Sequence, residues 1–215
     1  KGSALFAWED GHAAAERPDP FDYPPACLHA PKDTGLCVTA LEDAELLVVR
    51  TENSERFPVR FLRPDDIVTE RAGETGMGGC ARRDIRTVFD YSDAPYSNLV
   101  VGEVVNFPGR WSSWPPHRHP QPELYFYRFD RPQGFGACFM GDEVFKIRHL
   151  SWAAIPGGAD HPQAAAPGYA MHYVWVIRHL PGNPWKATRI GAPEHDWMLA
   201  DGADIRRTKN GEAGA

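Results

Sequence analysis

The sequence predicts an all-β protein whose strands close into barrels. Three observations lead there. Twenty glycines and twenty prolines in 215 residues punctuate the chain at short intervals, which favours short strands and turns over long helices. Apolar stretches such as LYFYRF (124–129) and DEVFKIR (142–148) are rich in aromatic and β-branched residues and alternate with a period of two. Finally, PPHRHPQPE (115–123) and PGGADH (156–161) carry three histidines and a glutamate that only a rigid frame can bring together.

In chain order, residues 1–62 read as short strands with turns. SALFAW is an apolar strand. HAAAERPDPFDYPPACLHAP is expected to be a proline-rich loop leading into a short strand. LCVTALEDAELLVVRT is expected to hold two strands about a turn at Glu42–Asp43. His12 and His29 stand alone and read as structural or exposed. Residues 63–98 read as a connector with a turn at Asp65–Asp66 and an extended segment. Its glycine cluster lacks the strand–GxGxxG–helix context of a dinucleotide site. Arg82, Arg83 and Arg86 form a basic cluster, for which solvated surface is favoured over a role on a substrate carboxylate.

Residues 99–190 read as a second, metal-binding barrel. NLVVGEVVNF is a strand with a glycine kink. Trp111 and Trp114 are expected to pack the barrel mouth, His149 to be a hydrogen-bonded or surface histidine, and QAAAPGYAMHYVWVIRH to be a hairpin about Pro167–Gly168. Residues 191–215 read as a polar tail, of which RRTKNGEAGA (206–215) is expected to be mobile.

Within the second barrel, strand parity puts His117 and His119 on one face with Arg118 opposite. Glu123, Tyr125 and Tyr127 share that parity, while Leu124, Phe126 and Arg128 face the other way. Pro120 and Pro122 cannot donate ladder hydrogen bonds, so the link to Glu123 is a bulge or strand rim. Pro156, Gly157 and Gly158 force a turn that delivers His161. Three imidazoles and a carboxylate (His117, His119, Glu123 and His161) suit a divalent ion such as zinc, manganese, iron or nickel.

Composition limits the alternatives. A formal net charge of −6 gives nucleic-acid binding no support. No apolar run approaches a membrane span, no signal-peptide pattern opens the chain, and the cytoplasm is the expected compartment. Cys27, Cys37, Cys80 and Cys138 form no CxxC pair and read as free, buried thiols.

The strings PGRWSSWPPHRH, PELYFYRF, PQGFG, HPQAAAPGYAMHYVWV, LEDAELLVV and RPDDI resemble the 5-deoxy-glucuronate isomerase family of inositol catabolism. That family lies in the cupin superfamily and is related to the 4-deoxy-L-threo-5-hexosulose-uronate ketol-isomerases of pectin breakdown. HxHxxxE and PxGxxH look like the two cupin motifs. The resemblance runs from about Gly2 to Trp185 and is densest from Val100 to Val176. It implies a bicupin whose first barrel lacks metal ligands and some opening strands.

The resemblance further implies zinc or manganese and conversion of 5-deoxy-D-glucuronate to 5-dehydro-2-deoxy-D-gluconate. For the base, Tyr125, Tyr127, His172 and Tyr173 are the candidates; for the substrate carboxylate, Arg128 and Arg148. A homodimer is expected from exposed strand edges. Many family members carry a longer acidic insert where this chain has only Pro120-Gln121-Pro122, which leaves the related ketol-isomerase open. A metal dioxygenase and a non-catalytic sugar-binding cupin are the readings from other classes.

Overall fold

The computed structural model describes residues 1–74, 77–200 and 203–205; the segment 206–215 expected to be mobile therefore lies outside the described residues. Strand β1 (Gly2–Trp8) pairs along its whole length with β2 (Gly11–Arg17), from Gly2 opposite Arg17 to Trp8 opposite Gly11. The HAAAER stretch expected as loop is thus a strand. Pairing overrides the weak strand preference of three alanines, since that preference is mostly a matter of context. Strand β3 (Cys27–His29) pairs with β5 (Arg60–Leu62), and β4 (Leu36–Ala40) takes the other edge of β1. Of the two strands expected in residues 36–51, only β4 forms. Residues 44–59 join no ladder. Side-chain bonds hold them instead: Asn98 Nδ2 donates to Glu52 O (2.7 Å) and Asn53 Nδ2 to Tyr96 O (2.8 Å).

The remaining strands build two facing sheets. They are β6 (Thr69–Ala72), β7 (Arg83–Phe89), β8 (Leu99–Asn106), β9 (Trp111–Ser112), β10 (His117–Arg118) and β11 (Glu123–Phe129), followed by β12 (Phe135–Met140), β13 (Glu143–Arg148), β14 (Trp152–Ile155), β15 (Gln163–Ala165), β16 (Met171–Arg178) and β17 (Ile190–Gly191). The larger sheet has the order β14-β11-β16-β8-β7-β6 and the smaller β13-β12-β15-β9, while β10 pairs with β17. Residues 63–98, read as a connector, thus supply two strands of the larger sheet. The hairpin expected about Pro167–Gly168 is instead a crossover, with β15 in the smaller sheet and β16 in the larger. β17 straddles the boundary between barrel and tail, and the tail supplies a 3-10 helix, Pro193–Leu199.

The core lies between the sheets. On β11, Glu123, Tyr125, Tyr127 and Phe129 are buried while Leu124, Phe126 and Arg128 are more open, which is the expected alternation. Their neighbours on β16 are Ile177, Trp175, Tyr173 and Met171, all buried. Cys138, Ile147 and Ala165 close the core from the other sheet. Each large side chain buried here contributes about 1.5–3 kcal/mol.

The outer face of the larger sheet carries a buried ionic group. Glu103 Oε1 accepts from Arg17 Nη2 (2.6 Å) and Arg86 Nη1 (2.8 Å), and its Oε2 meets His172 Nε2 at 2.9 Å. Arg86 also donates to the carbonyls of Pro20, Phe21 and Tyr23. The N-terminal segment is thereby tied to the back of the sheet, and Arg86 is buried rather than solvated. Among the thiols, Cys138 is buried and Cys27 half-buried, but Cys37 and Cys80 are exposed; all four are free.

Candidate metal centre

The two histidine motifs converge because of backbone fit. Pro120 and Pro122 interrupt pairing after β10, so the chain kinks between His119 and Glu123. The turn at 156–158 packs into that kink. A Cβ on Gly157 would lie 1.9 Å from Pro120 O, so only glycine allows the approach. Gly158, at φ +87, donates its N–H to His119 O (2.8 Å). His161 follows three residues later.

His119, Glu123 and His161 are buried, and their ligand atoms all lie within 4.8 Å of one another. Glu123 Oε1 is 3.0 Å from His119 Nε2, and Oε2 is 3.6 Å from His161 Nε2. Two ligands bound to one ion at ~2.1 Å and separated by roughly 90–110° would stand about 3.0–3.4 Å apart. Glu123 Oε2 is buried with no hydrogen-bond partner, a state that costs about 1–3 kcal/mol or more for a charged group. A cation among these atoms would satisfy it, so the residues fit a divalent ion.

His117 stands beside this trio rather than within it. Its ring lies 5.1 Å from that of His161, and it is half-buried. Nδ1 of His117 faces Pro115 O (3.1 Å) and Nδ1 of His161 faces Ala159 O (2.9 Å). A ring nitrogen beside a carbonyl carries the proton, so Nε2 of each presents its lone pair. Burial pushes His117 down to about 4, so its ring is neutral at pH 7. Burial alone would raise the Glu123 carboxyl, but the hydrogen bond to His119 and the nearby His161 hold it below the usual carboxylate range.

Of the residues considered for proton transfer, Tyr125 lies nearest, its ring 6.2 Å from that of His161. The Tyr173 ring is 4.9 Å from Tyr125, and its hydroxyl bonds Ser112 Oγ. Tyr127 donates to Gln163 Oε1 (2.7 Å). Burial raises Tyr125 and Tyr127 well above the ordinary phenol value and Tyr173 to about 12, so all three stay protonated at neutral pH. They can donate; none is a ready base.

Three expectations are corrected. His172 has the opposite parity from Tyr173 and is spent on Glu103 at the outer face. Arg128 points to the same outer face and pairs with Glu45. Arg148 is exposed at the end of edge strand β13, and its backbone is tied to Ser151. Trp111 and Trp114 pack together at 5.0 Å, with Phe139 5.3 Å from Trp111. His149 Nδ1 accepts from Phe129 N (3.1 Å). Sequence reasoning set Arg83 aside with Arg82 and Arg86 as solvated surface and passed over Arg189. Parity along β7 was the available signal for Arg83.

Comparison with known proteins agrees with this architecture. The model of the KduI/IolB family matches residues 1–198. A 5-deoxy-glucuronate isomerase of Geobacillus thermodenitrificans is 29% identical over 191 residues, covering 82% of this chain and 66% of the relative. One from Bacillus subtilis subsp. natto is 26% identical over 193 residues, covering 82% and 68%. The chain thus spans about two thirds of the length of the curated relatives it matches. The crystal structure of an IolB-like protein from Salmonella typhimurium LT2 superposes with a TM-score of 0.77 at 25% identity, covering 93% of this chain and 79% of that one.

Proposed function

The chain belongs to the KduI/IolB family, and from that premise we propose that it is a metal-dependent aldose–ketose isomerase, taking 5-deoxy-D-glucuronate to 5-dehydro-2-deoxy-D-gluconate. The observation that carries the reading is the convergence of His119, Glu123 and His161 on one point inside a cupin barrel. Its relatives named as 5-deoxy-glucuronate isomerases support the substrate.

His119, Glu123 and His161 would hold the ion, with His117 as the fourth ligand from the mouth. Imidazoles and a carboxylate suit zinc or manganese. A bound divalent ion supplies Lewis acidity, lowering the cost of negative charge on the oxygens flanking the carbon that loses its proton. The protein's own part is positional. The buried Glu123 balances the charge, the tyrosine layer of Tyr125 and Tyr173 offers neutral O–H donors beside the reacting oxygens, and the aromatic wall of Trp111 and Trp114 limits water. We place the enzyme in the cytoplasm as a homodimer; no helix among the described residues is long and apolar enough to cross a membrane. Exposed Trp152 on edge strand β14 is the feature that favours a second copy.

Elemental analysis of the purified protein, followed by an NMR assay on 5-deoxy-D-glucuronate, tests the reading. Stoichiometric metal and formation of the ketose are expected. Turnover that survives replacement of both His119 and Glu123 by Ala would remove the mechanism. Sedimentation of wild type beside Trp152→Lys tests the dimer.

A further inference from the structure

We propose that Arg83 receives the carboxylate of the sugar acid, with Arg189 lending a second positive charge from the other side of the mouth. The substrate's identity rests on the isomerase reading, but the demand for an anion at Arg83 does not.

Strand register sets the direction of Arg83. It pairs with Asn106 on β8, which in turn pairs with Met171 on β16, while Ile85 pairs with Val104 and Val104 with Tyr173. Arg83 therefore shares the inward face of Ile85 and Tyr173, and Ile85 packs against the core. Arg86, three positions on, has the opposite parity and is committed to Glu103. Position 83 is half-buried, and its guanidinium makes one hydrogen bond among the described residues, from Nη1 to Ala81 O (2.8 Å). The adjacent acid, Asp84, faces away and lies 3.9 Å from Arg71. Among the described residues no carboxylate makes an ion pair with Arg83; Glu70, opposite Ile85 in the ladder, lends it some negative charge.

Along the ladder Arg83 lines up with Phe129 rather than Glu123, and a chain of neighbours links it to the metal centre. Trp111 N donates to Cys80 O (2.7 Å), which sets residues 80–83 beside β9. Ser112 on β9 bonds Tyr173, which stacks near Tyr125. On the other side, β17 pairs Gly191 with His117, so Arg189 precedes a strand that runs alongside a ligand. Arg189 is exposed, with its guanidinium 5.7 Å from the Trp185 ring. Burial, the largest effect, and the charge of Arg189 depress the Arg83 guanidinium, while Tyr173 and Glu70 act the other way. Two cations that feel each other, with no carboxylate paired to Arg83, are relieved by a bound anion. A planar guanidinium offers the forked donors a carboxylate takes. The metal centre would then hold the carbonyl end of a sugar acid while Arg83 holds the acid end.

The test compares 5-deoxy-D-glucuronate with the same sugar bearing CH2OH in place of the carboxylate, using metal-loaded wild type, Arg83→Gln and Arg83→Lys. In Arg83→Gln the preference for the acid, as a ratio of kcat/KM, is expected to fall about a hundredfold. Most of the loss should lie in KM, because a remote carboxylate is held equally in ground and transition states. Arg83→Lys should retain part of the preference. It also carries the test if the glutamine variant does not fold, as judged by its unfolding midpoint. An undiminished preference in the variants overturns the assignment and leaves the isomerase reading intact. If wild type does not isomerise 5-deoxy-D-glucuronate, that reading fails and calorimetry decides the arginine: D-glucuronate should bind more tightly than D-glucose to wild type and not to Arg83→Gln. Equal binding of the two sugars by wild type, or a preference kept by the variant, overturns it.

Discussion

At Glu123 two opposing effects meet. Burial favours the neutral acid, while His119 and His161 favour the carboxylate, and the imidazoles win. The result is an anion held deep in the barrel with one oxygen lacking a donor. Glu123→Gln keeps the shape and removes the charge. Its metal affinity, measured by competition with a chelator, is expected to fall by more than the roughly 10–100-fold that loss of a supporting hydrogen-bond partner costs.

Glu103 is the opposite case, a carboxylate whose oxygens are fully engaged. Burial would raise it, but His172, Arg17 and Arg86 bring it down to about 2. A depressed folded value means stability that is complete above the unfolded carboxylate's 4.5 and is lost as pH falls towards 2. His172, whose burial depresses it from 6.5, has the same sign: its contribution is complete above 6.5 and fades as pH falls. The urea midpoint should therefore drop from pH 7 to pH 4 and more steeply below. In Glu103→Gln the steep part should flatten. Glu103→Ala, which strands Arg86 in the interior, is expected to cost about 3–5 kcal/mol at pH 7.

Elements show where sequence suffices and where it does not. Strand β11 was legible because aromatic and polar residues alternate across a sheet with one buried face, and the same parity delivered Glu123 and Tyr125 to the centre. Strand β2 was not, because three alanines carry no pattern of their own and form a strand only against β1. The supposed hairpin about Pro167–Gly168 failed for a different reason: a turn signal fixes a reversal, not which sheet the next strand joins. His172 and Arg128 were misplaced by treating nearness in sequence as nearness in space, although one step along a strand crosses the sheet. The turn at 156–158 was legible as a turn, but its docking against Pro120 was visible only in three dimensions. Gly157→Ala tests that docking. The new Cβ meets a carbonyl at 1.9 Å, so the loop must shift, with an expected loss of about 1–3 kcal/mol and weaker metal binding although every ligand remains. Gly35→Ala, whose Cβ would meet nothing within 4 Å, should stay within about 0.5 kcal/mol of wild type. Equal effects at the two glycines would show that the turn does not position His161.

For the molecule as a whole, the centre joins side chains from separate parts of the chain. The segment after β10 and the start of β11 bring His119 and Glu123, the 156–161 turn brings His161, and β17 pairs alongside His117. An ion held there binds the folded chain and not the dispersed ligands of the unfolded one, so metal becomes a source of stability by mass action. At a free metal concentration a hundred times the dissociation constant the gain is about 2.7 kcal/mol. Thermal unfolding should therefore move down on chelation and return on adding zinc or manganese, with a midpoint that climbs as metal is raised. His119→Ala should abolish that response, and its chelated form should lie below chelated wild type because it also loses a buried ring and the bond to Glu123. Arg83→Gln should respond to metal as wild type does, since its place is on the anion side of the mouth. A chelated wild type as stable as the metal-loaded protein would mean that His119, Glu123 and His161 do not share an ion.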